Sequence, residues 1–395
     1  MSRKHYPTEG KRPVPDTNPG LERARALHDL IASEAPASEA LGRLTDKVAE
    51  ALIEADMFSL LLPREAGGLE LSLPEYFETI EDIAAADGSA AWCFAICNAT
   101  VLMFHRAGPE QGKQEVFANG PVPMWVGLVP RATSAPAEGG HLVSGKFGWG
   151  SGSSLSDWVL VTEPLPDRDG MQWFRSYVLP KSDVAIVPDS WQPLGLKATA
   201  SVDYVIEGAF VPAHRSFEYP LMDMSGTLPM STFEGAVFHG IGMAAFASGV
   251  ARRATSEMAA AASKVQRMKA SASQAQDEAI QQGMGETEAR FISARSHYLG
   301  LLAEQDRHWR EHGRTSREIV RQCLYALNVL SKAARDSAIF AFDNAGTAAI
   351  LVHDPIQRCL RDLFAGLKHP VFGAIHVRDL GKEMLGADAA QMRLK

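Results

Sequence analysis

The chain has 395 residues, 46% hydrophobic and 22% charged, enough apolar material for more than one packed core and too much for an extensively disordered protein. A formal net charge of -8 without a basic stripe argues against nucleic acid as partner, because phosphate binding requires a cationic face. The cysteines Cys93, Cys97, Cys323 and Cys359 are too scattered for a disulfide framework, so a reducing cytoplasmic location is expected.

Residues 1–20 carry Lys and Arg but no apolar core, and Pro7, Pro13, Pro15 and Pro19 interrupt them; a flexible tail is expected there, not a signal peptide. Over residues 21–119 the spacing predicts a helical domain. Val48, Ala51, Leu52 and Ala55 recur at helical intervals and lead into Met57-Phe58-Ser59-Leu60-Leu61-Leu62, so helix is expected until Pro63 stops it. Gly67-Gly68 and Pro74 punctuate the chain, and Ser72 with Glu75 offers a capping box for a helix over 75–86. Asp87-Gly88-Ser89 opens another helix over 90–104. It is apolar on nearly every face, which predicts a bundle centre or a pocket wall. Cys93 and Cys97, one turn apart on it, read as packing. No run of about eighteen consecutive apolar residues occurs, so a membrane span is not expected.

Over residues 120–225 the pattern changes to short β-prone runs, 124–129, 142–147, 158–162, 174–179, 184–187 and 202–206, separated by Gly, Pro, Asp and Ser. No helices alternate with them, which predicts a small barrel-like β domain and not a parallel α/β sheet. Residues 226–395 return to helical segments rich in Ala, Glu and Arg, over 235–273, 274–312 and 315–344, lengths that fit a long antiparallel bundle. The fold class is therefore α+β, mainly α. His308 and His312 stand one turn apart, but Trp309-Arg310-Glu311 between them forms no HExxH motif, so a solvated helix face is expected and no metal. No Gly-x-Gly-x-x-Gly follows a strand, so no built-in nicotinamide domain is expected.

Five local patterns recur in this order. They are Leu62-Pro63-Arg64-Glu65-Ala66-Gly67-Gly68-Leu69 continuing to Asp87-Gly88-Ser89; Gly145-Lys146-Phe147-Gly148-Trp149-Gly150-Ser151-Gly152 before Asp157-Trp158; Gly195-Leu196-Lys197-Ala198-Thr199-Ala200-Ser201 leading into Ala209-Phe210-Val211-Pro212; Gly242 to Arg253; and Asp354-Pro355-Ile356-Gln357-Arg358 through Arg361-Asp362 to His369. Together they resemble the acyl-CoA dehydrogenase superfamily over roughly residues 21–386. The resemblance implies an N-terminal helical domain, a central β domain and a C-terminal bundle of long helices. Dehydrogenases of this superfamily usually carry Tyr-Glu-Gly shortly after the Arg-Asp pair, and the Glu commonly removes the substrate α-proton. Here His369 and Pro370 stand at the positions matching Tyr and Glu. The α-carbon of a thioester is too weak an acid to ionise without such a base, so the chain departs from the dehydrogenase pattern. Leu128-Val129-Pro130 and Thr133-Ser134-Ala135 likewise replace the usual Thr-Glu-Pro and Gly-Ser-Asp.

His369 and the Ser151-Gly152 pair are similar instead to the two-component flavin monooxygenases of this fold, which act on phenols, steroid rings and indole-type compounds. That resemblance implies a tetrameric oxygenase component that receives reduced flavin, FAD or FMN, from a separate NAD(P)H flavin reductase. It would react that flavin with O2 to a C4a-hydroperoxide and hydroxylate a small phenolic or indole-like substrate. Ser151 is expected at the flavin N5, with its flanking glycines admitting a planar ligand, and Trp149 is expected on the same strand face, covering the ring. Trp125, Gly127, Leu128, Gly152, Thr199 and Ser201 are expected to border the flavin, and Arg267 to reach a neighbouring subunit's flavin. His369 is expected to donate and accept protons near neutral pH, and Trp92, Asn98 and His369 to line the substrate. An acyl-CoA dehydrogenase or oxidase, and a non-catalytic scaffold of the same fold, are the alternatives.

Overall fold

Helix α1 (Pro19–Leu41) starts where Asn18 accepts from the backbone N–H of Leu21, with Pro19 filling a position that needs no donor. The computed structural model describes residues 17–120, 122–127, 129, 131–221, 232–262, 264 and 273–386. Helix α2 (Asp46–Glu54) stops well before Pro63. Asp56 adopts φ +51° and Met57 N–H returns to Leu52 O, so the buried Met57, Leu60 and Leu62 lie in turns rather than on a continued helix. The apolar run was decided by burial, not by helical period.

The capping box forms as expected. The Ser72 hydroxyl and the Glu75 carboxylate satisfy each other's backbone N–H groups and open α3 (Leu73–Ala86). Asp87 then accepts from Ala90 N and opens α4 (Gly88–Ala107), which is buried at every residue from Gly88 to Phe104. By length and hydropathy α4 would also suit a membrane span, but 94% of its apolar window is buried inside the fold, as in a core helix. The short α5 (Glu110–Val116) follows.

Among the described residues eight strands follow: β1 (Met124–Gly127), β2 (Thr133–Ala137), β3 (Gly140–Gly150), β4 (Trp158–Arg168), β5 (Met171–Pro180), β6 (Ala185–Ile186), β7 (Val202–Pro212) and β8 (Ser216–Pro220). They form two four-stranded sheets, ordered β1-β4-β5-β8 and β2-β3-β7-β6. Pairing is antiparallel except between β1 and β4. The two sheets share an interior of Trp125, Val143, Phe147, Val161, Tyr177 and Tyr204. β2 and β8 carry no alternation strong enough to predict, being Pro-containing and short.

The bundle consists of α6 (Thr232–Ala262), α7 (Glu278–His312) and α8 (Arg317–Asn344), followed by α9 (Pro355–Gly366) and α10 (Ile375–Met384). α7 begins later than its pattern suggests because Asp277 caps it, accepting from Ala279 and Ile280 N–H after a 3-10 turn over 274–276. α4 packs against α3, α6, α9 and β1. The core helix of the first domain therefore touches both other parts of the molecule.

Candidate functional site

Trp92 on α4 is the meeting point. Its indole N–H donates to Ser151 Oγ at 3.2 Å, and its ring stands edge-on to Phe246 of α6 at 5.1 Å and to His369 at 5.8 Å. Gly366, the last residue of α9, admits this packing: a Cβ there would lie 2.4 Å from the Phe246 ring and 3.0 Å from the Trp92 ring. Ser151 and His369, 218 positions apart in sequence, are thus brought to one indole.

Behind Ser151 runs a line of hydroxyls. Ser151 Oγ lies 2.7 Å from Ser201 Oγ, which lies 2.6 Å from Thr199 Oγ1, and Thr199 donates to Leu196 O at 2.8 Å. Leu196 and Ala200 hold φ of +56° and +47°, a conformation that costs non-glycine residues about 1–3 kcal/mol each and must be held by neighbours. Asp362 of α9 holds it, accepting from Leu196 N–H at 2.6 Å, and α9 packs so close that a Cβ at Gly195 would lie 2.2 Å from Arg361 O. Burial, with the nearby Asp87 carboxylate adding to it, pushes Asp362 up to about 7. Cys93 Sγ contacts Thr199 O from α4.

His369 follows α9 and caps the 3-10 turn over 370–372, its Nδ1 accepting from Val371 N–H at 3.3 Å. An accepting Nδ1 places the proton of the neutral ring on Nε2. Burial, reinforced by His239, lowers the imidazole to about 4. The expectation of a group titrating near neutral pH is therefore corrected: His369 is a neutral ring presenting one N–H donor.

Several other expected site residues take different places. Trp125 is 0% exposed in the β-domain interior, edge-on to Tyr204 at 4.5 Å, and cannot reach a ligand outside the sheets. Gly127 and Gly150 are small because of that interior, since added Cβ atoms would meet Tyr204 Oη at 2.4 Å and the Trp125 ring at 2.6 Å. Gly152 needs its φ of +81° and its closeness to Cys97 Sγ. The space beside Ser151 thus reflects packing from behind, not room left for a planar ligand.

Trp149 does not share a face with Ser151. A register shift between Phe147 and Gly150 and φ +65° at Trp149 break the alternation, leaving the Trp149 side chain 66% exposed against Trp191 while Ser151 is buried. Thr199 is 0% exposed; its hydroxyl meets Ser201, and its carbonyl accepts from Gly152 N–H at 2.9 Å. Asn98 is saturated by backbone, accepting from Leu60 N–H and donating to Met57 O and Phe94 O, so it clamps the 57–60 turn instead of facing a substrate. Leu128 and Arg267 lie outside the described residues. His308 and His312 stack on each other at 4.3 Å on α7.

Two family models match the chain, the acyl-CoA dehydrogenase N-terminal domain over residues 23–119 and its C-terminal domain over residues 241–373. The chain belongs to the acyl-CoA dehydrogenase family. Within that family it is 26% identical to the flavin-dependent monooxygenase oxygenase subunit HsaA of Rhodococcus jostii, over 88% of this chain and 93% of the relative. It is 30% identical to a pigment production hydroxylase of Rhodococcus erythropolis over 49% of this chain. Several curated relatives, that hydroxylase included, are matched over about half their length. The fold is similar to that of XiaF from Streptomyces sp., solved in complex with FADH2 and glycerol, with a TM-score of 0.84, 19% identity and coverage of 95% and 97% of the two chains.

Sequence reasoning missed Phe246, Gly366 and Asp362 as members of the cluster around Trp92 and the 195–201 loop. Asp362 lay inside a quoted pattern, but nothing local announces that its carboxylate reaches Leu196, 166 positions away. Only the docking of α9 on the 195–201 loop reveals it.

Proposed function

We propose that this chain is the oxygenase component of a two-component flavin-dependent monooxygenase that hydroxylates a small aromatic substrate, phenolic or indole-like. The observation that carries the reading is the convergence of Ser151 and His369 on Trp92, with Pro370 where a thioester-oxidising relative would carry its base. Among the described residues, no carboxylate hydrogen-bonds to Ser151 or His369. HsaA-type relatives named as oxygenase subunits support the same assignment, and imply a separate NAD(P)H flavin reductase. A homotetramer and a cytoplasmic location belong to the proposal.

The residues present fit a reduced flavin. Ser151 Oγ, having accepted from Trp92, keeps a lone pair for an N–H donor. When bound, the reduced flavin supplies the electrons that deliver one oxygen atom of O2 to the substrate and the other to water. The protein's own groups do the rest. Ser151 would be the polar contact for the ring region, the buried residues of α4 would help to exclude water, and His369 Nε2–H would be available to donate to a substrate hydroxyl. Trp92 fixes the spacing of the two.

The test supplies an unrelated flavin reductase, NADH, FMN or FAD and O2, and screens aromatic compounds, indole first because its oxidation yields pigment. Oxygen-dependent hydroxylated product is the expected result. Anaerobic bleaching of bound oxidised flavin by acyl-CoA would instead establish a dehydrogenase.

A further inference from the structure

Two carboxylates meet where α9 crosses the start of α4. Asp87, the cap of α4, is 5% exposed and Asp362 of α9 is 3% exposed. Both line one narrow cleft with Gly88, Val250, Arg253 and Cys359. Each already accepts one backbone N–H, Asp87 from Ala90 at 2.8 Å and Asp362 Oδ1 from Leu196 at 2.6 Å. The second oxygen of Asp362 turns toward the first residue of α4, since a Cβ added to Gly88 would lie 3.2 Å from Asp362 Oδ2.

The cations around this cleft are engaged elsewhere. Arg253 of α6 pairs with Glu257 at 2.6 Å and donates to Ala85 O, and Arg361 of α9 pairs with Glu39 of α1 at 2.6 Å and donates to Leu194 O. Arg358 of α9 lines the same cleft and offsets part of the cost at Asp87, whereas Glu39 adds negative charge at both carboxylates. Cys359, pushed up to about 12 by burial, stays neutral. Among the described residues no ion pair joins either carboxylate to a Lys, Arg or His. Two buried carboxylates sharing one cleft without a paired cation repel too strongly to be ionised together at little cost. Asp87 sits at the positive end of a helix and keeps its charge the more readily, so the proton belongs on Asp362 Oδ2. The rise of Asp362 to about 7, through burial first and Asp87 second, agrees with this.

We propose that Asp87 and Asp362 carry one proton between them, and that this proton latches α9 and the 195–201 loop onto α4 behind the contact of Trp92 with Ser151. On both helices the pair stands about one turn before the residues that build that contact: Trp92 is five positions beyond Asp87, and Gly366, packed on the Trp92 ring, is four beyond Asp362. With the proton in place Asp362 ties Leu196 N–H to the start of α4. When the proton passes to solvent, two like charges face each other across the cleft, and the repulsion is relieved by α9 drawing back with Leu196 and Gly366. His369, three positions beyond Gly366, follows. A carboxyl raised above its ordinary value stabilises the closed form at low pH, so the latch is closed in acid and loosens as pH rises through about 7. It belongs to the chain itself and does not depend on what occupies the site.

Hydrogen–deuterium exchange of the full chain, corrected for the intrinsic dependence of exchange on pH, reads the latch without cofactor or substrate. Protection of the segments 88–96 and 195–201 is expected to fall between pH 5 and pH 8 by up to about tenfold per pH unit, the limit for release of one proton, and then to level off. Asp362→Asn offers an N–H where the acid offers its O–H and still accepts from Leu196, so its protection should be flat over the same range. Asp87→Asn keeps a capping side chain, removes the repulsion and should be flat as well. A variant that merely loosens the packing lowers protection at every pH and keeps the wild-type slope, which would overturn the proposal. So would a flat wild-type profile. Infrared difference spectra give a second reading: the C=O stretch of a protonated carboxyl is expected at pH 6 in wild type and absent at pH 9 and in Asp362→Asn, and a wild-type chain without that band at pH 6 would refute the shared proton.

Discussion

The indole N–H of Trp92 reaches Ser151 Oγ at 3.2 Å, and through this bond the core helix of the first domain sets the first residue beyond β3. The same ring carries Phe246 and His369 on its edges, so one side chain sets the relative position of groups from all three parts of the fold.

Trp92→Phe should keep the packing and lose the bond. Losing the bond and part of the ring volume should destabilise the chain by about 1–3 kcal/mol in urea unfolding. With reductase and substrate present, hydroxylated product per NADH consumed should fall as Ser151 loses its fixed position.

Two glycines on helices should respond oppositely to alanine. At Gly366 the new methyl collides with Phe246 and Trp92, so Gly366→Ala should cost about 1–3 kcal/mol despite better helix propensity. At Gly300 on α7 a Cβ meets nothing within 4 Å, so Gly300→Ala should stabilise by up to about 1 kcal/mol. Denaturant midpoints of both variants check the pair.

His369 should stay neutral through the physiological range. Its folded pKa of about 4 lies below the ordinary 6.5, so its contribution to stability is present above pH 6.5 and is lost as pH falls through 4. His369→Gln should flatten that part of the stability profile. NMR titration should find the wild-type ring neutral, with its proton on Nε2, at pH 6.

Asp362 should act at the other end of the scale. Its folded pKa of about 7 lies above the ordinary 3.8, so its contribution is fully present below pH 3.8 and is lost as pH rises through 7. Asn can still accept from Leu196 N–H without charge. Asp362→Asn should therefore melt higher than wild type at pH 8, by about a few degrees, with the difference closing toward pH 4.

All four cysteines should resist thiol reagents in the native protein. They are buried, Cys97, Cys323 and Cys359 are raised to about 12 by burial, and Cys93 is raised further. A disulfide-exchange dye should titrate none until the chain is unfolded; rapid native labelling of Cys93 or Cys97 would contradict the packing of α4 against Thr199 and Gly152.

The sequence by itself determined what short-range physics controls. Ser72 and Glu75 announce their capping box, Asp87 announces the start of α4, and the change from short β-prone runs to long Ala-rich segments announces three parts in order. Five local patterns in their order along the chain, not any one of them, carried the resemblance to the family, whose N- and C-terminal domain models match residues 23–119 and 241–373. Tertiary structure alone decided what each side chain faces. Asn98 reads as a polar exception on a pocket wall until Met57 and Leu60 arrive to saturate it. Gly150 reads as ligand space until Trp125 fills the volume behind it, and Trp149 reads as Ser151's neighbour until a bulge turns it outward. Hydrogen bonds such as Asp362 to Leu196 join positions far apart in the chain, and their geometry exists only after whole elements have packed. Periodicity and capping are set within a few residues; satisfaction of buried polar groups is set by partners the local sequence does not contain.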